Sequence, residues 1–469
     1  MTSTDGRSPF SLLLHLAGDE EQLGIFSKQS LIESWLAAER ALALAQAEHG
    51  VISRDDADAI VAAARLCNVD DETLWKTARR VGYPILGLVR EVCAGLPAGP
   101  DGRVHFGATT QDIMDTGLAL QMARSLAALD RALGRLGDAL AGRVAEHAGT
   151  VMAARTHAQQ AVPTTFGATL GTLLAQFTRQ RERLAQAAPR IALVSLFGAG
   201  GTAAALGPRS AEIRATVADL LGLHHTDVPW HVDRDGVAEF GWLCTTVTAT
   251  CAKLARNVVD LSRTEIGEVF EPFESHRGAS STMPQKVNPI SSEIVIGLAG
   301  TAGALTSSLA RLQEAGHERA AGEWQIEWQV VPQLAVLAGT ALSETLIIVE
   351  GLRVDAGRMR ANLELDGGLA MAEAQMISLA EAMGREHAHD LVYEAAIRAR
   401  TTGRTLAEVL PEVADEKGKR DVLPKTLIDA DAYVGEAGRI ADAAVRGWSA
   451  VPALSLVDTP LPELASRAP

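Results

Sequence analysis

Apolar residues recur at three- and four-residue intervals over most of the chain, the spacing that puts them on one face of a helix. No convincing alternation of strands and helices breaks this pattern. Ser30 to Glu48 predicts one helix, and Ser53, followed by Arg54, Asp55 and Asp56, predicts the N-cap of the next. The stretch Ala94-Gly-Leu-Pro-Ala-Gly-Pro-Asp-Gly then ends a first region of short helices. Beyond it the pattern lengthens. Thr116 to His147, Pro163 to Ala187, Gly236 to Glu268, Pro289 to Glu314 and Trp324 to Val349 each predict a long helix. Val330 to Val349 is apolar on more than one narrow stripe, so that helix should be enclosed on most sides. One chain cannot easily enclose several such helices, and pairing bundles across subunits would do it; an oligomer is therefore expected.

The connections carry glycine and proline: Phe197-Gly-Ala-Gly-Gly-Thr, Thr226-Asp-Val-Pro-Trp-His, and the stretch from Glu271 to Pro284. Bundle loops usually run about 2–8 residues, so the last is long enough to suggest a function. A second composition shift, at Leu363-Glu-Leu-Asp-Gly-Gly, precedes a smaller helical unit containing Leu406 to Tyr433. Three regions follow: 1–104, 105–360 and 361–469.

Composition sharpens the picture. Hydrophobic residues form 47% of the chain and aromatics only 4%, which favours closely packed helices over a β-rich fold. Lys and Arg number 43 against 58 Asp and Glu, a net charge of −15, so a broad basic face for nucleic acid is not expected. A local cationic pocket could still hold an anionic substrate. Cys67, Cys93, Cys244 and Cys251 lack metal-ligand spacing and read as buried thiols. The N-terminus MTSTDGRSPF lacks a basic segment followed by a sustained apolar run, and no uninterrupted run of about 18 apolar residues occurs. A cytoplasmic protein without membrane contact is expected, and no metal or organic cofactor motif is evident; His224-His225 beside Pro229 reads as an ordinary loop pair.

The densest chemistry lies in Ala279-Ser-Ser-Thr-Met-Pro-Gln-Lys-Val-Asn-Pro, which opens directly into a long helix. Free N–H groups, the positive helix end and Lys286 predict a carboxylate-binding loop there. His105-Phe-Gly-Ala-Thr-Thr-Gln-Asp places Thr109, Thr110 and Asp112 at another helix start, where threonines commonly serve as caps. Ala154-Arg-Thr-His-Ala-Gln-Gln offers a lone histidine, His157, between Thr156 and Gln159.

SSTMPQKVNP closely resembles the SSxMPxKxNP signature of the aspartase/fumarase superfamily. The resemblance implies an all-α, three-domain fold whose central long-helix bundle assembles into a tetrameric helical core. It further implies a small dicarboxylate substrate, with active sites composed from three subunits. By that likeness Ser280 is the general base, beside Ser281, while Lys286 and Asn288 hold the carboxylate as it becomes a dianion. His105 to Asp112 looks like the HxGxTSxD pattern of the adenylosuccinate lyase branch, with Thr109, Thr110 and Asp112 on the substrate side. Arg155 to Gln159 resembles the RTHxQ motif, in which Thr156, His157 and Gln159 face substrate; Glu293 has the spacing of the glutamate that backs this histidine in fumarase-like members. A carboxylate behind an imidazole suits a proton donor to a leaving group. Pro229 to Asp235, including Arg234, and Gly316 to Trp328, including Arg319, resemble segments of the 3-carboxy-cis,cis-muconate cycloisomerase group. Arg319 matches an arginine that takes a second carboxylate.

The cycloisomerases carry tryptophan where His157 stands, so the frame is cycloisomerase-like and that site lyase-like. Phe26-Ser-Lys-Gln replaces the phosphate-binding Arg-Tyr-Ser of purine nucleotide lyases. The expectation from sequence is a carbon–nitrogen lyase that releases fumarate from a substituted succinate, foremost nitrosuccinate, as in antibiotic biosynthesis. The alternatives are 3-carboxy-cis,cis-muconate cycloisomerase, an adenylosuccinate or other C–N lyase, and a non-catalytic crystallin-like protein.

Overall fold

The computed structural model describes residues 12–319 and 321–456. The N-terminal stretch read above for a missing leader, 1–11, lies outside the described residues. After two short helical turns the first region forms α1 (Lys28–Glu48), whose Ser27 cap accepts from the Ser30 N–H. Ser53 caps Arg54–Ala63 as its position predicts, accepting from the Asp56 N–H.

Five long helices then build the bundle: α2 (Thr110–Glu146), α3 (Phe166–Ile191), α4 (Asp235–Leu261), α5 (Ile290–Leu309) and α6 (Glu323–Glu350). They pack around one large apolar core, with Leu129, Phe177, Phe240 and Leu334 fully buried. The chain reverses direction at each step, so the helix ends gather at two poles. At the first, Arg234, just before α4, bonds to Asp115 near the start of α2 and Glu327 near the start of α6. At the second, Arg143 near the end of α2 donates to the carbonyls of Val349 and Glu350 at the end of α6. With 37 residues at 1.5 Å each, α2 is about 55 Å long and runs from one pole to the other.

Two features depart from the expected pattern. Between α2 and α3 the chain forms a hairpin, β1 (Val151–Thr156) against β2 (Gln159–Thr165), so Pro163 and Thr164 lie in a strand and not in the helix predicted from Pro163. A short pair, Val269–Phe270 with Arg353–Val354, ties the end of α4 to the end of α6. The second departure concerns cysteine: Cys244 and Cys251 are buried thiols, but Cys67 is exposed and Cys93 half-buried. Burial pushes the Cys251 thiol up to about 12, so it is inert at neutral pH.

In the third region, residues 379–414 form a small core of their own. The last helix, α7 (Ala437–Ser449), returns to the bundle, where Trp448 donates to Asp138 at 2.8 Å and covers Gly137. Two stretches of the bundle, Ile290–Glu314 and Glu323–Glu350, are long and apolar enough to cross a membrane by length and composition. The core encloses most of α6, which accounts for its apolar surface, but only 22% of the most apolar stretch between Ile290 and Glu314 is buried.

Candidate active site

At the first pole, segment 105–112 is held by side chains whose bonding capacity is full. The Asp112 carboxylate accepts from the N–H groups of Thr109, Phe197 and Gly198 and from His231 Nε2, between 2.8 and 3.0 Å. Burial opposes its charge, but these donors win and hold its pKa below the usual range. All five N–H groups of Arg234 are likewise spent, on Asp115, Glu327 and the Trp230 carbonyl. His105 turns Nδ1 to Glu39 at 2.6 Å; burial alone would lower its pKa, but the carboxylate raises it. Thr109 and Thr110 stay half-exposed. Arg319 reaches over from the loop before α6, 3.5 Å from Thr109 Oγ1 and 3.1 Å from the Ala199 carbonyl.

At the second pole, the hairpin turns through His157 and Ala158, with φ of 50° and 63°. Two successive residues in this left-handed region are strained without glycine or asparagine, and they present His157 at an exposed tip between exposed Thr156 and Gln159. The strand below is fixed: Arg155 grips the buried Glu268 with two bonds of 2.5 and 2.9 Å, and Asn362 donates to the same carboxylate.

The loop carrying Ser280 springs from the same pole. Its base is rigid. Glu271 accepts from the Ser291 and Ser292 N–H groups at 3.3 and 2.7 Å, and Ser291 bridges Arg277 and Glu344. Gly278, with φ of +66°, brings its carbonyl to the Asn288 N–H at 2.8 Å; a Cβ there would lie 2.3 Å from the Asn288 oxygen. Glycine is thus required one residue before Ala279. Above this neck Ser281 to Val287 are exposed, and Lys286 has no ion-pair partner among the described residues. Ser280 Oγ accepts from the N–H groups of Met283 and Thr282, at 3.1 and 3.3 Å.

Comparison with known proteins agrees with this architecture. Residues 18–303 match the lyase family and 368–444 the adenylosuccinate lyase C-terminal family. The chain belongs to the aspartase/fumarase superfamily of lyases. A 3-carboxy-cis,cis-muconate cycloisomerase of Pseudomonas aeruginosa is 41% identical over 419 residues, 88% of this chain and 91% of that one. A nitrosuccinate lyase of Streptomyces davaonensis is 36% identical over 432 residues, 88% and 90% of the two chains. The crystal structure of 3-carboxy-cis,cis-muconate lactonizing enzyme from Pseudomonas putida superposes with a TM-score of 0.85, at 35% identity, covering 93% of this chain and 99% of that one.

Within this superfamily frame, some expectations need correction. Asp112 and Arg234 have no free acceptor or donor for a substrate; both hold the framework. The start of α5 is no anion site either, because Glu271 already occupies its N–H groups. His157 and Glu293, both exposed, make no hydrogen bond to each other in the chain. The first pole gathers Thr109, Thr110, His105 and Arg319; the second carries His157, Thr156 and Gln159 on the hairpin and Ser280, Ser281, Lys286 and Asn288 on the loop. Sequence reasoning overlooked Glu39, Glu268 and Glu271, buried carboxylates that orient these groups. Their only signal was an acidic residue inside an apolar run, which no motif marks.

Proposed function

We propose that Ser280 carries the proton exchanged beside a carboxylate of a small polycarboxylate, as base in the eliminating direction and, once protonated, as acid in lactone formation, and that 3-carboxy-cis,cis-muconate is the substrate. The two N–H groups aimed at Ser280 Oγ carry the reading: they stabilise an alkoxide, which a serine needs in order to act as a base. Lys286, uncommitted on the same exposed loop, supplies the charge for the carboxylate that gathers electron density. Arg319 and the threonines at the other pole suit a second carboxylate. Lactone formation from a muconate is addition of a carboxylate oxygen to an alkene with protonation of the neighbouring carbon. Its reverse is loss of a carboxylate after proton removal beside another, so cycloisomerase and lyase share one step. The greater identity to cycloisomerases supports a tethered carboxylate as the group that leaves and returns.

Nitrosuccinate is the second reading, favoured by His157, whose imidazole at the hairpin tip suits a departing group that leaves the molecule.

A single chain holds the two halves at opposite poles of the bundle, which supports a site shared among subunits of a homotetramer. The open apolar face of α5 supports the same assembly. The test follows the loss of 3-carboxy-cis,cis-muconate and the release of fumarate and nitrite from nitrosuccinate, with purified full-length protein. Muconate loss is expected, slowed by about 10²–10⁴-fold in Ser280→Ala. Fumarate with nitrite would transfer the assignment to the second reading, and turnover untouched by Ser280→Ala would overturn both.

A further inference from the structure

The proposed reaction makes no use of an aromatic cavity beside the first pole. Trp35 on α1, Trp75 on a short helix, Tyr83 in the bend that follows it, and Trp324 and Trp328 on α6 surround a space of about 240 Å³. In a chain with only seven Trp and three Tyr, half of them meet here. Their rings meet in two groups: Trp35 and Trp75 at 6.4 Å, and Tyr83 stacked on Trp324 at 5.5 Å with Trp324 edge-on to Trp328 at 5.1 Å. The space is smaller than the ~300–1,000 Å³ of most ligand pockets, which restricts it to a small guest.

The polar side of the cavity decides what kind of guest. Asp115 and Glu327 line it, whereas Arg234, which bonds to both, does not. Two buried carboxylates share one guanidinium, so the cluster holds one negative charge too many for its burial. Burial, helped by Asp115 and opposed by Arg234, pushes Glu327 up to about 7. Aromatic faces and a carboxylate pair only partly neutralised by Arg234 attract the same guest, because ring quadrupoles also present negative potential. We propose that this cavity binds a small organic cation, an ammonium or quaternary ammonium compound, at a site separate from the carboxylate-binding loop.

The experiment titrates the intrinsic tryptophan fluorescence of the full-length protein with choline at constant ionic strength. Its uncharged carbon analogue, 3,3-dimethyl-1-butanol, is the control. Saturable quenching by choline is expected, with affinity at least about tenfold above that for the alcohol, since shape is shared and only charge differs. Trp328→Ala, at a position already 38% exposed, should weaken choline about fivefold with the far-ultraviolet circular dichroism unchanged. Tyr83→Leu, which keeps bulk but removes a ring face, serves if the first variant does not fold. Equal affinity for choline and the alcohol, no saturation by choline, or full affinity in a folded variant would each overturn the proposal.

Discussion

His105 shows how a single side chain can be set by its neighbours. Its ring is mostly buried, which disfavours the imidazolium, yet Glu39, buried on α1 and 2.6 Å away, more than compensates and the pKa rises. A group whose folded pKa lies above its unfolded value stabilises the fold fully below about pH 6.5 and loses that contribution as pH climbs through the folded value. His105→Gln should therefore cost about 1.5–3 kcal/mol at pH 6 and less at pH 9, where the neutral ring can still donate one bond. Urea denaturation of both proteins at the two pH values checks the sign: a cost that grows with pH contradicts it. At this scale the sequence was legible in residue type and silent on bonding. Lys286 and His157 stand exposed and Ser280 is half-buried. Asp112 and Arg234, equally prominent in the string, are saturated mainly by partners 85 to 119 residues away in sequence, which no local spacing could reveal.

The long helices were legible because their periodicity runs for many turns and tertiary packing agrees with it. The hairpin was not. Its turn residues are His157 and Ala158 where a two-residue turn would ordinarily announce itself with Asn-Gly, and the strain is tolerated because Arg155 and Glu268 clamp the strand beneath. The start of α2 was placed late for a similar reason: four of the six residues from Thr110 to Asp115 are polar, and the Asp112 bond back to Thr109 shows that the helix has begun. Packing between elements offers its own test at Gly137, where α7 crosses α2. A methyl group there would lie 2.0 Å from Trp448 Cζ2, so the gain of about 1 kcal/mol that alanine ordinarily brings to a helix is outweighed by overpacking of about 1–3 kcal/mol. Gly137→Ala should lower Tm in the wild type and raise it in a Trp448→Ala background. Additive effects across this double-mutant cycle would mean that the contact is not what constrains the glycine.

For the whole molecule, the governing fact is the separation of the poles. Thr109, Thr110 and Arg319 lie at the start of α2, and Ser280 lies on the loop that leaves the far end of the bundle. A rigid bundle cannot fold these together, so an active site needing both must borrow one from another copy. Antiparallel association through α5 would place unlike poles side by side. This arrangement predicts complementation. Thr110→Val and Ser280→Ala should each be inactive alone, yet mixing them under conditions that dissociate and reform the oligomer should restore activity. With random assembly of equal amounts, a site draws its Thr110 from one subunit and its Ser280 from another, and both are intact in roughly a quarter of the sites. Activity near a quarter of wild type, rising with time of exchange and absent when the proteins are mixed without dissociation, is the expected result. No recovery after verified exchange of subunits would mean that each chain completes its own site, and that the 37-residue span of α2 does not separate the reacting groups.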